Sequence, residues 1–175
     1  MSQAIASRGV NATLQPGLLD GVAIAQHRCG ETVLAQLTSL GASVLPAGAG
    51  ETPDALVLAI GSLAELDQAW PVIQAAAAEA FIPAGAPAVG TTRKVLLIGP
   101  RPGLADAEPT RAALENLART LSVEWARYGI VVATIAPGTA TSEEELATLV
   151  AFLCSRAGHY YSGCRFSLGV VTEPR

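Results

Sequence analysis

The sequence predicts an α/β fold built on a parallel sheet, and three observations carry that expectation. The first is an αβ unit at 109–138. Leu114, Leu117, Ala118, Leu121 and Trp125 recur at the three-and-four spacing of one helical face. Arg111, Glu115 and Arg119 fall on another side, with Glu115 four residues before Arg119, a favourable ion-pair spacing. Gly129 stops the helix, as a residue tolerant of positive φ does. Ile130–Ile135 then runs as β-branched residues and alanine, the pattern of a strand buried on both faces, and Pro137-Gly138 breaks it. The second observation is composition: half the residues are hydrophobic, 15% are charged and 5% aromatic. Alanine, leucine and valine dominate, which suits close helix–sheet packing. The third is length, 175 residues, enough for one domain with a real core.

Two stretches carry a family resemblance. RAALENLARTLSVEWARYGIVVATIAPG (111–138) and the pattern A-x-L-V-x-F-L-x-S (147–155), followed by Tyr161-Ser162-Gly163, resemble the short-chain dehydrogenase/reductase family. The match falls on its long dimerising helix, the strand ending in Pro-Gly, and its C-terminal segment. The resemblance implies a Rossmann-type, doubly wound parallel sheet with helices on both faces. It spans Leu18 to Gly169 with two internal deletions, leaving residues 1–17 as an N-terminal arm and 18–175 as a single domain.

In chain order, Val22–Ala25 reads as the first strand. The resemblance then implies a Gly-x-x-x-Gly-x-Gly turn, whose glycines let backbone approach a cofactor pyrophosphate seated on the helix N-terminus. Here the remnant turn is Gln26, His27, Arg28 and Gly30, about three residues short. Gly30 takes the last glycine position and Arg28 the one before. Two readings of the turn stand: Arg28 and His27 bind phosphate by charge, or the turn is plain surface that holds no nucleotide. The second is the expectation.

Glu31–Leu40 reads as a helix ended by Gly41, and Ser43–Leu45 as a short second strand. The resemblance implies a charged residue after this strand to select NAD or NADP; the chain gives Pro46-Ala47-Gly48-Ala49-Gly50, with Glu51 in a loop beyond. Asp54–Gly61 resembles the family's fourth strand, so the third strand, a sheet edge, is expected to be deleted with its flanking helices. Leu58 and Ala59 stand at the positions of the family's two asparagines. Ser62 opens a helix to about Ala80, with Ser62 and Glu65 in capping-box spacing and AAAAEA (75–80) as a strong helix former. Arg93–Ile98 is the next strand. After Pro137-Gly138 the chain goes almost directly into a helix with an acidic first turn, Glu143-Glu144-Glu145, read as favourable to the helix dipole and nothing more. The substrate lid is therefore expected to be missing. A last strand falls at about 164–168.

The catalytic positions implied by the resemblance are empty of chemistry. A tyrosine and a lysine four residues on would share one helical face. Those positions hold Ala107 and Arg111. Gly99-Pro100-Arg101-Pro102-Gly103 follows the fifth family strand where a serine is implied. The remaining tyrosines, Tyr128, Tyr160 and Tyr161, and the isolated His27 and His159, form no recognisable catalytic set.

Net charge is −4, which argues against a nucleic-acid surface. No apolar run approaches the roughly 20 residues of a membrane helix, and the N-terminus has no signal-peptide core. Three cysteines without a CxxC pair suggest reduced thiols and a cytoplasmic setting. No metal-ligand spacing occurs. The expectation is a catalytically silent relative acting as a structural or regulatory subunit, without a cofactor. It would pair with itself or with an active reductase through a four-helix bundle, using Leu114, Leu117, Leu121 and Trp125. One alternative is an NAD(P)-dependent oxidoreductase with an atypical site, perhaps Arg111 with a C-terminal tyrosine. The other is a small-ligand binding domain.

Overall fold

The computed structural model describes residues 14–49, 52–85 and 92–169. Most of the N-terminal arm, Gly50, Glu51 and the segment after Gly169 lie outside the described residues. Six parallel strands form one sheet: β1 (Ala23–His27), β2 (Ser43–Pro46), β3 (Ala55–Ala59), β4 (Arg93–Ile98), β5 (Ile130–Ala136) and β6 (Arg165–Ser167), ordered β2-β1-β3-β4-β5-β6. The four α-helices are α1 (Glu31–Ser39), α2 (Leu63–Ala75), α3 (Ala107–Glu124) and α4 (Glu143–Cys154).

The strands alternate between two apolar layers. Ile24, Val57, Leu96, Ile98, Ala133 and Ile135 face α1 and α4, packing with Val33, Leu37, Ala147 and Val150. Ala25, Leu56, Leu58, Val95, Leu97 and Val132 face α2 and α3, packing with Ile73, Phe81, Leu114, Ala118 and Leu121. Both faces of the sheet are covered, as a parallel sheet requires. The doubly wound α/β expectation therefore holds. The sheet ends at β2, with no strand beyond it among the described residues. β3 follows β2 after a short connection, as the sequence suggests.

Several boundaries differ from expectation. Gln26 and His27 belong to β1, not to the turn: Gln26 is in register with Pro46 and Val57, and His27 with Leu58. Leu14, assigned to the arm, packs on the α1/α4 core, and Leu19 is fully buried, its N–H donating to Leu40 O at 2.9 Å. The helix expected through Ala80 changes character after Ala75 and finishes as a π-helical turn, Ala76–Phe81. The cause is the spacing of its buried residues, Ala69, Ile73, Ala77 and Phe81. Steps of four drift by about 40° each on a 3.6-residue helix. The wider final turn cancels that drift and returns Phe81 to the sheet. Ser62 accepts from Glu65 N–H at 3.2 Å, but the Glu65 carboxylate reaches back to Gly61 N–H, not to Ser62.

Leu114 and Leu121, expected at a subunit interface, are 1% and 3% exposed within the single chain. They face the sheet and belong to its core. Leu117 and Trp125 are only partly buried. Gly129 ends this helical segment at φ +68°, as expected.

Candidate functional site

In an open parallel sheet, the crevice beyond the carboxyl ends of the strands is where ligands sit, at the point where strand order reverses. Here that point lies between β1 and β3. A cleft of about 250 Å³ opens there, lined by Arg28, Gly61, Glu65, Gly99 and Pro100 among others. Four loops surround it: the β1–α1 turn, the start of α2, the 99–106 loop after β4, and the 137–142 loop after β5.

The β1–α1 turn is only Arg28-Cys29-Gly30. Arg28 holds φ +59°, a left-handed conformation suited to glycine, which agrees with its place at a glycine position. Its guanidinium bonds Glu65 Oε1 at 2.8 Å, and Glu65 Oε2 accepts from Gly61 N–H at 2.7 Å. The charge of Arg28 is thus matched within the chain. His27 closes the β1 ladder, and Gln26 Oε1 accepts from Cys29 N–H at 3.2 Å, so the Gln26 side chain is engaged within the turn. The Cys29 thiol points back toward Val57 O at 3.5 Å, and burial pushes its pKa up to about 11. It stays protonated at neutral pH and offers no thiolate.

Gly30 caps α1 with extended backbone and no side-chain bond. A Cβ built on it would meet Glu143 Oε2 at 3.9 Å. A carboxylate of the chain itself therefore lies close beside Gly30. Glu143 does more than the dipole role read from sequence. Glu145 closes the capping box with Ser142, at 3.0 and 3.1 Å, while Glu143 leaves the helix and bonds Arg101 at 2.5 Å.

Arg101 is the residue that sequence reasoning missed. Its Nη1 donates to Gly138 O at 3.0 Å and Thr141 O at 2.6 Å. Thr141 Oγ1 accepts from Gly138 N–H at 2.9 Å. The short 137–142 loop after β5 is fastened to the neighbouring loop after β4. Gly138 also runs against the chain after β6: a Cβ there would come within 2.5 Å of Leu168 O.

Arg111 makes a second tie. It is 7% exposed, and its Nη1 donates to Pro100 O at 3.1 Å and Pro137 O at 2.8 Å. Its Nε lies 3.8 Å from Glu108 and makes no hydrogen bond. Ala107, one helical turn earlier, is 2% exposed. The guanidinium thus joins the backbone just past β4 to the backbone just past β5. Tyr161 stays elsewhere, packed between Phe152 and Phe166 with ring centroids at 5.9 and 5.3 Å. The chain just after it bonds the middle of β5, Gly163 N–H to Val132 O at 2.7 Å, whereas Arg111 sits past the strand's end. Tyr160 is 88% exposed. Arg111 and a C-terminal tyrosine do not converge. Among the described residues, no group of three or more His, Cys, Asp or Glu is placed to hold a metal, and no helix is long and apolar enough to cross a membrane.

No family model and no curated relative matches the sequence. Solved structures match its shape. A putative NAD(P)-dependent gluconate 5-dehydrogenase from Beutenbergia cavernae with bound NADP superposes with a TM-score of 0.69 at 18% identity, covering 87% of this chain and 97% of that one. A 3-ketoacyl-(acyl-carrier-protein) reductase from Brucella melitensis complexed with NADH gives 0.66 at 17% identity, covering 86% and 97%. A Serratia marcescens short-chain dehydrogenase/reductase variant gives 0.64 at 19% identity, again covering 86% and 97%. The class follows: the fold is that of the short-chain dehydrogenases/reductases, a Rossmann-like α/β sheet. This chain carries it in shortened form, with β2 as the sheet edge and only residues 137–142 between β5 and α4.

Proposed function

We propose that the chain is a catalytically silent protein of short-chain dehydrogenase/reductase shape, serving as a structural or regulatory subunit. The observation that carries this reading is the pair of arginine ties that join the loops after β4 and β5 beside the crevice. Arg101 and Glu143 place the chain's own ion pair beside Gly30, where a dinucleotide would need a bare, electropositive helix N-terminus. Arg28 stands where backbone should approach a pyrophosphate. Arg111 Nη1 donates to two backbone carbonyls, and its planar guanidinium is no equivalent of a lysine ammonium beside a phenol. Ala107 has no proton to give. These residues do not fit a nicotinamide dinucleotide.

Assembly, with a second copy or with an active reductase, would use the outer surfaces of α2 and α3. Leu117, Trp125 and Val123, the last 78% exposed, are the apolar residues α3 offers there. Leu117→Glu with Val123→Glu should convert an assembled form to monomer in sedimentation while the melting temperature of the monomer holds.

The alternative, an NAD(P)-dependent oxidoreductase, draws support from neighbours solved with NADP or NADH. A titration with NADH and NADPH to millimolar concentration, followed by the fluorescence of Trp70 and Trp125 and by thermal shift, separates the two. No response is expected from the native chain. A saturable response would overturn the silent reading in favour of the oxidoreductase.

A further inference from the structure

A larger cavity lies away from the crevice, on the α2/α3 side of the sheet over β1, β2 and β3. Its volume is about 470 Å³, within the range of roughly 300–1,000 Å³ found for small-molecule sites. Ala25, Leu45 and Leu56 form the floor, and Val72 and Ala76 part of the wall. Among the described residues, nothing covers this sheet surface beside the short connection between β2 and β3.

Two further features point to a ligand. The wall is the stretch where the helix widens: Ile82 N–H donates to Ala77 O, five residues back, at 2.9 Å. Such π-helical turns recur at functional sites. The same turn presents Glu79, the one ionisable side chain among the described lining residues. Glu79 is exposed, and no hydrogen bond or ion pair joins it to another described residue. An unmatched carboxylate at the rim of an apolar hollow repels anions and attracts a cation.

We propose that this cavity binds a small apolar amine, its hydrocarbon body on the strand floor and its ammonium at the Glu79 carboxylate. The proposal is independent of the reading of the crevice. The probe is adamantan-1-amine, titrated into the full chain with methyl-labelled leucine and valine. Saturable shifts are expected at Leu45, Leu56 and Val72, with Leu114 unmoved. Glu79→Gln should weaken the amine about threefold, the effect of one exposed ion pair, and leave adamantan-1-ol unchanged. Ala76→Phe should fill the hollow and abolish both. Equal binding of the amine and of adamantane-1-carboxylate would overturn the proposal. So would the absence of shifts at the three methyls, or their appearance on raising protein concentration without any probe, which would mean that a second copy covers the hollow.

Discussion

The two flanks of the sheet differ in how completely the chain covers them. β5 is buried at all seven positions, and β4 at five of six. β2, at one edge, has no fully buried residue, and neither has β6 at the other edge, but it is β2 that borders the open hollow. A central strand carries two hydrogen-bonded ladders and two packed faces, whereas an edge strand carries one ladder. Shortening at an edge therefore leaves the fold intact.

The sharpest way to break this comparison is a pair of truncations. Leu114→Ala, in the covered flank, should cost about 3 kcal/mol, the range for a buried leucine. Leu45→Ala, on the edge, should cost about 1 kcal/mol. Urea unfolding of both variants decides it, and equal losses would mean the edge is as tightly packed as the centre. The Leu114 variant should lose stability at every protein concentration, because the side chain serves the core and not an interface.

Arg111→Ala comes next. It strips the buried carbonyls of Pro100 and Pro137 of a charged donor and leaves a void, at about 2–3 kcal/mol. Hydrogen exchange should rise in the loops after β4 and β5 and remain unchanged in β1.

Arg28→Gly tests the trimmed flank in the other direction. It relieves a left-handed conformation that costs a side-chain-bearing residue about 1 kcal/mol, and gives up a surface ion pair with Glu65 worth less. A small net gain in melting temperature is expected.

The smallest effect is at Glu115. It bonds Arg165 at 2.7 Å and pairs with Arg119 at 2.7 Å. The hydrogen bond from Arg165 holds its carboxyl below the usual glutamate value. A depressed folded value means that this stabilisation is present at neutral pH. It is lost as pH falls from the unfolded value, about 4.3, through the folded one. Arg165→Ala should cost about 0.5 kcal/mol at neutral pH and almost nothing in strong acid, as denaturant titrations at both pH values would reveal.

What sequence made legible follows the same divide. β5 and α3 were readable because apolar periodicity is strongest where burial is complete. The loss of the edge strand was readable because too few residues separate Leu45 from Ala55. The ties between the loops after β4 and β5 were not. Arg101 bonds backbone carbonyls 37 and 40 residues away, and carbonyls leave no mark in a sequence. Glu143 was hidden among three glutamates that all suit a helix start. The π-helical turn was invisible because a run of alanines has no period of its own. Leu114 and Leu121 were misassigned for a simple reason: an apolar stripe announces that something covers it, but not whether the cover is a sheet or a second subunit.

β2 has one more consequence. It is four residues long and ends in Pro46, which has no N–H to offer an incoming strand. A newly uncovered margin would ordinarily invite other chains to stack in register and grow fibrils. Brevity and an imino acid at its tip make this margin a poor template for such stacking.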